Sequence, residues 1–131
     1  MTLLLRVAAR ASVLMFVVAM AGSARADDQK ATVDQIKVHN QAATAAYASH
    51  NLTKMRDEIA AALTLAKDKG LEKHAALAQT YVLLGVVEVE DKHRDAGISA
   101  FVKALQMSPA VEVPASMAKK PVKAAFAARE K

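Results

Sequence analysis

A chain of 131 residues, 24% of them charged, is long enough for one small domain and no more. It contains no cysteine, which excludes disulfide staples, thiolate catalysis, c-type haem attachment and Cys-ligated zinc. The net charge of +5 does not point to nucleic acid, because the aromatics Tyr47, Tyr81, Phe101 and Phe126 are scattered among apolar positions instead of interleaving with a basic stripe.

The N-terminus reads as a leader. Arg6 and Arg10 precede an apolar run from Ala11 to Ala21, and Gly22-Ser23-Ala24-Arg25-Ala26 follows with small residues at Ala24 and Ala26. This is the charged, apolar, small-x-small order of a secretory signal peptide, so 1–26 is expected to be cleaved after Ala26 and 27–131 to be a periplasmic or secreted helical domain that meets no membrane. The apolar run is shorter than the ~20 residues a membrane anchor needs. No Arg-Arg pair suggests the twin-arginine route, and no cysteine follows the run to accept lipid. Once Arg6, Arg10 and Arg25 leave, the net charge falls to +2. What is locally basic is the chain end, where Lys119, Lys120, Lys123, Arg129 and Lys131 face a single Glu130 and read as a solvated helix face.

The first helix of the domain is expected to start at Thr32, where Thr32 and Gln35 have capping-box spacing, and to turn Val33, Ile36, Asn40, Ala43 and Tyr47 inward. Ser49-His50-Asn51 marks a turn. A second helix, from about Thr53 to Lys69, buries Met55, Ile59, Ala62, Leu63 and Ala66 and stops at Gly70. Asn51-Leu52-Thr53 fits a glycosylation sequon of the kind that arises often by chance. The third helix is expected from Leu71 or Glu72 to Glu90 and the fourth from Arg94 to Met107. The stretch from Ser108 to Ser116 is a bend held by Pro109 and Pro114. Pro121 opens a last helix that presents Val122, Ala125 and Phe126 on one side.

The third and fourth helices carry the most specific pattern. Tyr81, Leu84 and Gly85 share one face, and Gly97, Phe101 and Ala104 share another. Almost no side-chain volume at Gly85 and Gly97 lets two backbones approach, Phe101 fills the space beside them, and Pro109 ends the pair. These residues, from Ala78 to Pro109, resemble the tetratricopeptide repeat, with Glu88 where the family has a second aromatic. Met55, Ile59 and Ala62 stand 42 residues before Gly97, Phe101 and Ala104, against ~34 for a regular repeat, so a degenerate first repeat precedes the good one. In that first repeat His39 takes the place of the aromatic and Ala42-Ala43 that of Leu-Gly. The surplus falls in the charged connection from Lys67 to Lys73.

The resemblance implies an all-α fold, four helices in two antiparallel hairpins with a C-terminal capping helix, and a protein-binding scaffold. Its groove positions fall on Asn40, Thr44, Tyr47, Gln79, Val82, Val86, Val89 and Glu90. Val82, Val86 and Val89 make one continuous stripe. Left in water it would be an exposed apolar patch for a protein or peptide partner; otherwise the chain's own first or last helix covers it. Valines where the family's carboxylate clamp needs Lys, Arg and Asn argue against peptide C-termini as ligands.

Little catalytic chemistry is encoded. His39, His50, His74 and His93 lack ligand spacing, Glu88, Glu90 and Asp91 sit beside Lys92, His93 and Arg94 as mixed surface charge, and the four glycines are isolated. No Gly-x-Ser-x-Gly motif occurs. No catalytic residue, metal or cofactor is expected, and the chain reads as a non-catalytic exported interaction module. Two alternatives stay open: a small helical bundle that binds a ligand or metal through its histidines, and a structural subunit stable only as a homo-oligomer, since two repeats fall short of the ~3 that stacking normally needs.

Overall fold

A computed structural model describes the backbone of residues 2–129 and the side chains of residues 25–129. Among them the chain is all-α: α1 (Thr2–Ala48), α2 (Leu52–Asp68), α3 (Leu77–Glu90), α4 (Arg94–Met107), a single 3-10 turn (Ala115–Met117) and α5 (Lys120–Ala128). Two compact units are formed, Met1–Ala31 and Thr32–Lys131, and the second holds the core. The leader expected over 1–26 lies, apart from Arg25 and Ala26, outside the residues whose side chains are described, as do Glu130 and Lys131. No helix among the described residues is long and apolar enough to cross a membrane.

The first helix does not begin at Thr32. That residue lies inside α1 and is buried, so its backbone amide is in the helix ladder and needs no cap. The reason is local: from Ala24 to Ala31 there is neither Gly nor Pro, and Ala, Arg, Gln and Lys favour continuation. The third helix starts five or six residues later than its pattern suggests, at Leu77. Gly70, at φ +70°, closes α2 with a pair of backbone bonds, Leu71 N–H to Ala66 O (2.7 Å) and Gly70 N–H to Lys67 O (3.2 Å), which turn the chain away. His74 then accepts the Ala76 N–H on Nδ1 at 3.0 Å, holding residues 71–76 as a non-helical linker.

The same closing motif recurs after α1 and α3, with His50 (φ 59°) and Lys92 (φ 66°) in the left-handed position. Asn51 N–H bonds Ala46 O at 2.9 Å, and His93 N–H bonds Glu88 O at 2.8 Å. Asn51 also caps α2, its side chain accepting the Lys54 N–H at 3.0 Å. A left-handed backbone costs any L-residue with a Cβ roughly 1–2 kcal/mol. Lys92→Gly is therefore expected to raise stability by about 0.5–1 kcal/mol, measured as the urea midpoint of the helical signal. A lower midpoint would show that the Lys92 stem contributes more than its backbone strain costs.

The α3–α4 hairpin is closely packed. A methyl group at Gly97 would stand 3.0 Å from Gly85 O and 2.6 Å from Val89 Cγ2, so the two helices approach at the level of their backbones. At Gly85 a methyl group would stand 2.7 Å from Phe101 Cζ and closer still to Cδ1 and Cε1. Phe101 is fully buried, and Phe126 of α5 meets its ring edge-on, with centroids 5.2 Å apart at 82°. Phe126 is backed in turn by the Arg129 guanidinium, 3.7 Å from its ring centroid. The last helix, opened by Pro121, packs against both α3 and α4 and buries Val122 and Ala125. Pro109 holds Ser108 extended (φ −151°, ψ 105°), which ends α4 one residue earlier. The bend that follows carries Met117 into the core on the 3-10 turn.

Candidate functional site

The positions singled out as a partner groove separate into three places. Val82 and Val86 are fully buried and Val89 nearly so. Their core also takes Ala43 and Ala46 of α1 and Met117, Val122 and Ala125 from the C-terminal segment, so the stripe lies in the interior and is not an open apolar patch. Helical periodicity marks a face that must be covered; here the covering elements are those of the same chain.

Tyr47 and Glu90 meet at one end of α3. The Tyr47 hydroxyl donates to Glu90 Oε1 at 3.2 Å, and Lys119 Nζ lies 3.6 Å from the same oxygen and 5.3 Å from the centroid of the Tyr47 ring. The acids nearby are met by side chains from other elements. Arg56 of α2 donates to Glu88 Oε1 and to Asp91 Oδ2, and His93 Nδ1 is 3.1 Å from Glu88 Oε2. The two carboxylates raise the Arg56 pKa above its ordinary value, chiefly through the hydrogen bond to Glu88 and then through that to Asp91. Glu88, which stands where a repeat would carry its second aromatic, thus joins α2 to α3 by charge instead of by a ring. This end of α3 is occupied by its own contacts.

Asn40 and Gln79 lie at the other end, bordering one groove. Asn40 is 7% exposed; its Oδ1 accepts from the fully buried Thr80 hydroxyl at 2.8 Å, and its carbonyl accepts from Thr44 Oγ1 at 3.0 Å. Beside this pair a groove of about 420 Å³ opens between α1, the start of α3 and the bend after α4. Lys37 and Gln41 join Asn40 on one wall and Gln79 stands on the other. Ala75, Ala76 and Ala78 make a floor of small side chains, closed at one end by Ser108 and Val111.

A second hollow, of about 480 Å³, lies on the far side of the linker, between Lys73, Tyr81, Lys103 and Met107. A third, of about 190 Å³, shares Glu72 and Tyr81 with it and is otherwise lined by Leu63, Lys67 and Leu77. Each of the three takes residues from the linker at 71–76, which overlaps at residues 71–73 the segment from Lys67 to Lys73 where the pattern puts the surplus over a regular repeat. The interruption from Lys67 to Lys73 was therefore the available signal for Lys37, Gln41, Lys103 and Met107, none of which stands out in the sequence.

The histidines are dispersed. His39 Nδ1 lies 2.7 Å from Glu58 Oε2 between α1 and α2, His74 caps the linker, His93 faces Glu88, and His50 sits in the left-handed turn. No group of three or more His, Asp or Glu that could hold a metal ion occurs among the described residues. With the fold and these surfaces established, comparison with protein-family models, with curated proteins and with solved structures gives no match for this chain.

Proposed function

We propose that this chain is a non-catalytic exported interaction module of tetratricopeptide type, and that its partner is an extended peptide segment seated between α1 and the start of α3. What supports the repeat reading is the backbone approach at Gly85 and Gly97 with Phe101 against it, at the spacing the family uses. What carries the peptide reading is the groove's chemistry. Gln41 and Gln79 are carboxamides, each with a donor and an acceptor, the complement of a main-chain amide, and Asn40, its oxygen taken by Thr80, adds its amide donor. Small side chains on the floor let a peptide backbone come close, and Lys37 favours an acidic residue in the bound segment. Export rests on the leader at 1–26.

Selection of a random peptide library on the full chain, followed by fluorescence anisotropy with the best binder, tests this. An acid-containing peptide is expected to bind saturably, and Gln79→Ala is expected to weaken it about tenfold, the loss of a well-made pair of hydrogen bonds. Helical circular dichroism should be retained. Absence of any saturable peptide, or a peptide indifferent to Gln79→Ala, would overturn the assignment.

A further inference from the structure

The hollow on the far side of the linker has a different chemistry from the groove. Its walls are Tyr81 of α3 and Met107 of α4, with Ala75 from the linker, and two lysines border it: Lys73 from the linker and Lys103 from α4. Lys103 Nζ lies 5.5 Å from the Tyr81 ring centroid, so the cation is held over the aromatic wall. Gln106, one turn on from Lys103 along the same helix, adds a neutral donor beside it. The apolar wall does not end at Tyr81, because the smaller hollow behind it continues the lining with Leu63 and Leu77 and adds a third cation, Lys67. Glu72 borders both hollows and keeps an anion away from their seam.

We propose that the two hollows together form a binding site for an alkyl carboxylate, the carboxylate held by Lys103 and Gln106 and the chain lying past Met107 and Tyr81 toward Leu77 and Leu63. The volume, about 480 Å³ before the second hollow is added, is in the range of small-molecule pockets, and three lysines against one glutamate set the sign of the ligand. A peptide is disfavoured, since the wall offers aromatic and aliphatic carbon where backbone recognition needs paired donors and acceptors. The site uses no residue of the carboxamide groove except Ala75, which borders both.

Titration of the full chain with decanoate, followed by proton–carbon NMR of the methyl and aromatic groups, tests the assignment. Saturable shifts are expected at Tyr81, Met107, Leu77 and Leu63. Lys103→Gln is expected to weaken binding about tenfold, the loss of one charge-assisted hydrogen bond, while Lys103→Arg retains it. Gln79→Ala should leave decanoate binding unchanged, which keeps this site distinguishable from the peptide groove. Decanol should bind at least tenfold more weakly than decanoate. Shifts that fail to saturate, that map elsewhere, or that are the same for decanol and decanoate would each overturn the proposal.

Discussion

Gly85→Ala is expected to destabilise the folded chain by about 3 kcal/mol, at the upper end of what one added methyl group costs in a packed core. Two effects compete. Replacing glycine inside a helix gains about 1 kcal/mol in intrinsic propensity, and an open site would show that gain as a stabilisation. Here the new Cβ would stand 2.7 Å from Phe101 Cζ and nearer to two other ring carbons. The ring has nowhere to retreat, being fully buried and backed by the edge of Phe126. Relief requires α5 to move, and α5 holds Val122 and Ala125 in the same core. Steric cost therefore exceeds propensity gain. Phe101→Leu on its own also destabilises, because it removes buried aromatic area, but in combination with Gly85→Ala it makes the room that the methyl group needs. The double variant should be at least 1 kcal/mol more stable than the sum of the two costs, measured by urea unfolding. An unchanged or raised midpoint for Gly85→Ala alone would mean that the hairpin is not packed at this crossing.

Asn40→Leu is expected to cost about 1–3 kcal/mol, the penalty of a buried hydroxyl left without its acceptor. Asn40 and Thr80 form a polar pair between α1 and α3 at 7% and 0% exposure, so water does not replace the lost bond. Thr80→Val alone leaves the Asn40 carboxamide facing an apolar methyl and costs a similar amount. With both changes present, an apolar pair of similar shape stands where the polar pair was, and most of the loss should be regained. Costs that simply add would show that the two side chains do not depend on each other. Asn40 also borders the carboxamide groove, so the double variant should fold while losing part of its affinity for the selected peptide.

The elements that the sequence made legible are those fixed by local volume or local breakers. Gly85, Gly97 and Phe101 state a packing requirement that only a close helix pair meets, Gly70 states a chain reversal, and Pro121 states a helix start. The start of the first helix was not legible, because Thr32 and Gln35 have the spacing of a cap but fit a helix interior equally well once nothing upstream breaks the helix. The linker at 71–76 was not legible for a similar reason: Leu71, Glu72 and Lys73 are all good helix formers, and what stops them is the turn at Gly70 together with the His74 ring. The valine stripe was legible as a face, but periodicity does not name what lies against it. The candidate groove was the least legible. Lys37, Gln79 and Val111 come from three separate segments, and only the folded chain places them side by side.

The joints between the helices are of two kinds, and this sets an order in which they come apart. Between α3 and α4 the joint is dry, with backbone against backbone and an aromatic ring wedged beside it. Between α2 and α3, Arg56, Glu88 and Asp91 carry part of the joint, and between α1 and α3 it is Asn40 with Thr80 and Tyr47 with Glu90. Salt screens the half-exposed Arg56 joint and leaves the dry one untouched, and helices held in part by such polar joints open at lower cost than the dry hairpin. Amide protons of α1 and α2 should therefore exchange with deuterium through partial openings that leave the α3–α4–α5 unit intact, and that unit is the last to dissolve.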